Sequence, residues 1–152
     1  MAIRNIVQIG DATLRKKSFE VTDFGEKTQT LLDDMKETLI KADGAGLAAP
    51  QVGVLRRIFI VMAEGKYYEC INPVIIETSG KQVGNEGCLS VKGKYGEVER
   101  PMHVTVKALD RFGKPFTVKA SGFLARAFCH ENDHLDGVLY VDKAKNVQEE
   151  ED

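Results

Sequence analysis

The sequence predicts an α+β fold. Two segments with helical spacing of apolar residues stand far apart in the chain. The runs between them alternate as strands joined by tight turns, not as βαβ units. At 152 residues the chain has the size of one domain with its own core. No internal repeat or long Pro/Gly/Ser-rich linker divides it. We place a single domain at 1–142 and an acidic tail at 143–152.

The first helix runs from about Gly25 to Ala42. Leu31, Leu32, Met35, Leu39 and Ile40 form its apolar stripe, leaving Asp33, Asp34, Lys36 and Glu37 for solvent. Core packing explains such a stripe better than a partner face. Asp43-Gly44-Ala45-Gly46 breaks the helix, and Leu47 to Gln51 follows as a loop of small residues. Strands are expected over Arg57–Met62 and over Tyr68–Glu77, the second broken near Pro73. Val104, Val106 and Ala108 alternate with Thr105 and Lys107, a half-buried strand pattern. Asp110 to Lys114 reads as a hairpin turn into a strand over Phe116–Ala120. Ser121 caps a second helix, Gly122 to about Leu135. From Lys143 onward the chain is expected to fray.

Charge excludes one broad class. With 21 Lys and Arg against 23 Asp and Glu, the net charge is −2. The four acids Glu149, Glu150, Glu151 and Asp152 account for the sign; without them the count is 21 against 19, or +2. Neither balance suits a chain held to nucleic acid by charge alone. No stretch has the length of a membrane-spanning helix, and the first 18 residues lack the apolar core and cleavage pattern of a secretory signal. A cytoplasmic protein is expected. The soft ligands are Cys70, Cys88 and Cys129 with His103, His130 and His134. Three cysteines make a poor disulfide framework, so any special cysteine acts as ligand or nucleophile.

The sharpest motif is His130-Glu131-Asn132-Asp133-His134, an H-E-x-x-H on the second helix. Residues four apart share a helix face. Both imidazoles can therefore reach one metal, with Glu131 beside them as a base. A surface helix with two solvated histidines is the plainer alternative. A third protein ligand is required. Cys129, adjacent to His130, points about 100° away from it along a helix, and Cys70 lies in an apolar strand-like run; both read as core. Cys88 follows a glycine that permits close backbone approach, and spacing alone favours it over His103 without excluding the latter.

Three segments together, Gly44-Ala45-Gly46-Leu47-Ala48-Ala49-Pro50-Gln51, Glu86-Gly87-Cys88-Leu89-Ser90 and His130 to His134, resemble the signature motifs of peptide deformylase. Their order and spacing match as well, and the similarity runs from Ile6-Val7-Gln8-Ile9-Gly10-Asp11 to Gly137-Val138-Leu139-Tyr140. The resemblance implies mostly antiparallel strands around a central C-terminal helix carrying the H-E-x-x-H. It implies a bacterial-type hydrolase that removes the formyl group from the initiator methionine of new polypeptides, releasing formate. By the same resemblance Cys88, His130 and His134 are the metal ligands, with water in the open fourth position. One divalent metal per chain is implied, ferrous iron first, with zinc, nickel or cobalt able to take the same site. Glu131 is the implied base. The side-chain amide of Gln51 and the backbone N–H of Leu89 are the implied donors to the developing oxyanion. The glycines Gly44, Gly46 and Gly87 leave room for a strand-like peptide. Phe123 and Ala127, at i−7 and i−3 from His130, are candidate walls of the methionine pocket, although Phe123 serves equally well as plain core. Glu86 and Arg100 are expected to pair and brace the cysteine loop. The implied partners are formylmethionyl nascent peptides and, transiently, the ribosome, with no DNA and no membrane.

The chain departs from the family pattern in three places. Cys129 stands where glutamine is frequent, and Lys92 where proline is frequent, which leaves that loop less stiff. The acidic tail is repelled by phosphate, so the RNA-docking basic helix of some relatives is not carried over. Two other classes remain open on the residues alone. A small metallopeptidase would use the same H-E-x-x-H. A non-catalytic metal-binding module would not need Glu131.

Overall fold

The computed structural model describes residues 2–150. Helix α1 spans Glu26–Ala42, with Gly25 as N-cap and Asp43 closing it in the left-handed conformation. Leu31, Leu32, Met35 and Leu39 are buried as the spacing requires. Two positions differ. Ile40 is 57% exposed, and Asp34, expected in solvent, is only 4% exposed. The Asp34 carboxylate accepts from the Ala2 N–H at 2.7 Å and from Arg4 Nε at 3.0 Å. Those bonds satisfy a buried charge that periodicity assigned to water.

The expected small-residue loop is instead ordered structure. Gly46–Ala48 forms strand β1 and Ala49–Val52 a 3-10 turn. Pro50 suits the start of that turn, where its missing N–H costs nothing. β2 (Ile58–Ala63) and β3 (Lys66–Ser79) follow. The break expected near Pro73 is a register shift between Ile71 and Val74. β6 (His103–Leu109) and β7 (Pro115–Ser121) form the expected hairpin, its turn held by Asp110 Oδ1 accepting from the N–H groups of Phe112 and Lys114. These five strands make one antiparallel sheet in the order β1-β2-β3-β6-β7.

Helix α2 spans Gly122–His134. Ser121 is its N-cap residue but makes no capping bond; its Oγ pairs with His103 Nδ1 at 2.7 Å. Phe128 packs against Phe59 and Tyr68, with ring centroids 5.9 and 5.4 Å apart. Cys70 and Cys129 are buried, as expected of core residues. The helix contacts strands of both sheets and so sits between them.

A second sheet has the order β4-β5-β8, from Gln82–Cys88, Val91–Arg100 and Lys145–Glu149. None of its strands was expected from periodicity. The expected fraying from Lys143 is corrected outright for residues 145–149, since β8 pairs with β5 and the Glu150 N–H donates to Gly93 O at 2.7 Å. Backbone pairing with β5 orders this segment although its side chains are exposed. Glu151 and Asp152 lie outside the described residues.

Candidate metal centre

Helix α2 puts His130 and His134 one turn apart on a common face, their ring centroids 5.1 Å apart. The hairpin between β4 and β5 brings Cys88 to the same point. The ligand atoms of Cys88, His130 and His134 all lie within 4.8 Å of one another, the one such group of metal-type donors found among the described residues. Donors bound to a common tetrahedral ion stand about 3.5 Å apart, and Cys88 Sγ lies 3.4 Å from His134 Nε2. One sulfur and two imidazole nitrogens are donor types that a divalent transition metal accepts. The residues therefore fit such an ion. His103 stays apart from this cluster at the start of β6.

Glu131 is 4% exposed and its Oε1 has no hydrogen-bond partner. Burial pushes its carboxyl up to about 7, against the lowering effect of His130. A side chain at Gly46 would place Cβ 2.5 Å from Glu131 Oε2, and one at Gly44 would meet Leu89 Cδ1 at 2.9 Å. Both glycines line the cleft, and the space their missing side chains leave is filled by Glu131 and Leu89 themselves. Gly87 is different: a Cβ there meets only Lys94 O, at an ordinary 3.5 Å.

Gln51 is held at both ends of its amide. Its Oε1 accepts from the Ala48 N–H at 2.9 Å. Its Nε2 donates to Ser90 Oγ at 3.0 Å and lies 3.5 Å from Cys88 Sγ. The nitrogen is thus turned toward the metal-type donors.

Beneath the cluster lies a buried ionic network. Glu86 Oε1 accepts from Arg100 Nη2 at 2.9 Å and meets His130 Nδ1 at 2.8 Å. Its Oε2 accepts from Arg100 Nε at 2.9 Å and Arg126 Nη1 at 2.5 Å. Arg100 continues to Asp133 at 2.6 Å. Burial alone would raise the Glu86 carboxyl, but hydrogen bonds from Arg100 and His130 outweigh it and hold the group well below the usual carboxylate range. The expected Glu86–Arg100 pair is present, with more partners than expected. The Glu86 contact leaves Nε2 of His130 as the nitrogen free to ligate, the arrangement that orients metal-binding histidines. Arg126 went unnoticed in the sequence. It lies four residues before His130, a spacing that marks a shared face and could have flagged it.

Glu86, Cys88, Arg126 and His130 edge a cleft of about 660 Å³. Gln51, Leu89, Ala127 and Glu131 line it, as does Phe123, which is 53% exposed and therefore not core. Lys92 also lines it and is exposed.

Comparison with known proteins shows the family of the chain. Residues 3–150 match the family model described as polypeptide deformylase. The chain is 53% identical over 152 residues to a peptide deformylase of Halothermothrix orenii, covering 99% of each. It is 54% identical over 146 residues to one from Lachnoclostridium phytofermentans, covering 94% of this chain and 90% of that one. The fold superposes on the crystal structure of a peptide deformylase from Legionella pneumophila with a TM-score of 0.92 at 45% identity, over 95% of this chain and 88% of that one. The Thermotoga maritima structure gives 0.93 at 38% identity, over 95% and 99%. The chain belongs to the polypeptide deformylase family.

Proposed function

We propose that the enzyme carries out its family's reaction, hydrolytic removal of the N-formyl group from the initiator methionine of new polypeptides, at the Cys88–His130–His134 cluster. The observation that carries this reading is the convergence of three metal-type donors with a buried carboxylate whose Oε1 has no partner. Cys88, His130 and His134 hold one divalent ion, ferrous iron before zinc, nickel or cobalt. When bound, such an ion supplies Lewis acidity, lowering the pKa of water toward neutrality and polarising a carbonyl.

The protein groups do the rest. Glu131, poised near neutrality by burial, accepts a proton from the attacking water. It returns a proton to the amine as the carbon–nitrogen bond breaks, so formate and a free N-terminus leave. Negative charge gathers on the formyl oxygen meanwhile. The Gln51 Nε2 and the Leu89 N–H donate to it; Gln51 is held by the Ala48 N–H at its Oε1, and the Nε2 proton that faces Cys88 Sγ turns to the formyl oxygen. The cleft edges at Gly44, Gly46 and Gly87 receive an extended peptide backbone. Phe123 and Ala127 wall the methionine pocket. Residues 1–142 form the catalytic unit and 143–152 an acidic appendage, of which β8 completes the second sheet. The enzyme works in the cytoplasm on formylmethionyl nascent chains and meets the ribosome transiently, without its acidic tail.

Ferrous-loaded protein kept from oxygen is expected to release formate from a formyl-Met peptide. Glu131→Ala is expected to abolish release while retaining one metal per chain. Metal-loaded wild type without turnover, or a Glu131→Ala variant with full turnover, overturns the reading.

A further inference from the structure

The hairpin that carries Cys88 is held from outside. Cys88 pairs with Val91, so Leu89 and Ser90 alone make the turn. Two-residue hairpin turns favour left-handed residues, because those turns match the twist of the strands. Neither Leu89 nor Ser90 has a positive φ. Neighbouring groups supply what the turn lacks. The Ile9 N–H donates to Ser90 O at 2.8 Å. Gln51 Nε2 donates to Ser90 Oγ at 3.0 Å. Gln8 Nε2 donates to Leu89 O at 3.0 Å and to Ile6 O at 3.2 Å. Both Gln8 partners are carbonyl oxygens, so its amide can only present nitrogen to them. The same segment reaches the other donor as well, since the Val7 N–H donates to Gln51 O at 2.7 Å.

Residues 7–9 therefore stitch the Gln51 turn and the Leu89 turn into one frame. We propose that Gln8 is a positioning residue for the deformylation reaction. By clamping the Leu89 carbonyl it fixes the peptide that follows Leu89, while the Cys88–Val91 pairing fixes the peptide before it. The Leu89 N–H then has one direction. Gln8 acts through Leu89 and does not touch substrate. This inference rests on the assignment of the Leu89 N–H as a donor to the formyl oxygen.

The test compares Gln8→Ala, Gln8→Glu and Gln8→His with wild type, all metal-loaded. Glutamate keeps the size and loses the donor; histidine offers a ring N–H. Misaiming a donor costs part of its transition-state contribution and little of ground-state binding. We expect kcat to fall about tenfold in the alanine and glutamate variants, with KM changed by less than about twofold. One metal per chain is retained, and histidine recovers most of kcat. Unchanged kcat in both donor-less variants overturns the proposal. A loss of metal, or of KM in step with kcat, also overturns it, because general loosening would produce that. Wild type that releases no formate overturns the functional reading, and this inference with it. Active wild type alongside equally active variants overturns the inference alone.

Discussion

The two sheets are held together by different forces. The five-stranded sheet is stabilised by apolar burial: Ile58, Phe59, Ile60, Val61, Cys70 and Ile71 are all 0% exposed. The three-stranded sheet buries few apolar side chains and is fastened by charge, through Glu86, Arg100 and Arg126, and by the residue 7–9 segment. Burial is non-directional. Hydrogen-bonded charges have fixed geometry. The sheet that presents Cys88 adds a buried network of directional bonds to a small apolar cluster around Val91 and Val98, whereas the larger sheet rests mainly on apolar burial.

Three measurements sharpen or break that contrast. Leu32→Ala opens a cavity in the cluster that α1 forms with β2. It should cost about 3–4 kcal/mol of unfolding free energy, while formate release per folded molecule stays within about twofold. A large loss of turnover per folded molecule would show that the two regions are not separable. Glu86→Gln should cost less stability, about 2–3 kcal/mol, because the charge-assisted bonds to Arg126 and Arg100 weaken while Arg100 keeps Asp133. Its turnover should nevertheless fall at least about tenfold, since His130 loses the group that orients it. Denaturant melts and formate assays on the same samples decide this.

The third and smallest effect concerns the polar clasp on the large sheet. Glu69 accepts from Arg111 Nη2 at 2.6 Å and from the Tyr67 hydroxyl at 2.7 Å. Burial raises its carboxyl, but the bonds from Arg111 and Tyr67 prevail and leave it lowered from 4.5. A lowered folded value means the contribution is present above the unfolded value and is lost as pH falls through the folded one. Glu69→Gln should therefore cost about 1 kcal/mol at pH 7. The gap to wild type should narrow steadily once the pH drops below about 4.5. A gap that stays constant down to pH 3 would deny the clasp its electrostatic part.

The same contrast explains what was legible in the sequence. α1, β2, β3, β6, β7 and α2 bury a face, so apolar spacing announces them. β4 and β5 are rich in glycine and charge, and β8 has every side chain exposed; no period marks a strand that is fixed by its neighbours' backbones and by ion pairs. At the site, His130 and His134 follow from a four-residue spacing on one helix. Cys88 lies on a separate hairpin, so spacing favoured it without excluding His103, and the family resemblance singled it out. Periodicity assigns Asp34 to water because its partners, Ala2 and Arg4, lie 32 and 30 positions away. Gln8 had no signal of its own, since its work is a single bond to a backbone carbonyl 81 residues distant.

The Glu86–His130 contact joins residues 44 positions apart. Chain ends so separated meet at an entropic cost, while the β6–β7 and β4–β5 hairpins close through short turns. Topology therefore favours hairpins early and the junction of helix with cysteine hairpin late. A bond formed after the main folding barrier governs how fast the native state is left more than how fast it is reached. The bonds of that network that join helix to hairpin, from Glu86 to His130 and to Arg126, thus act as a latch on lifetime: they govern how long an assembled centre persists before it opens.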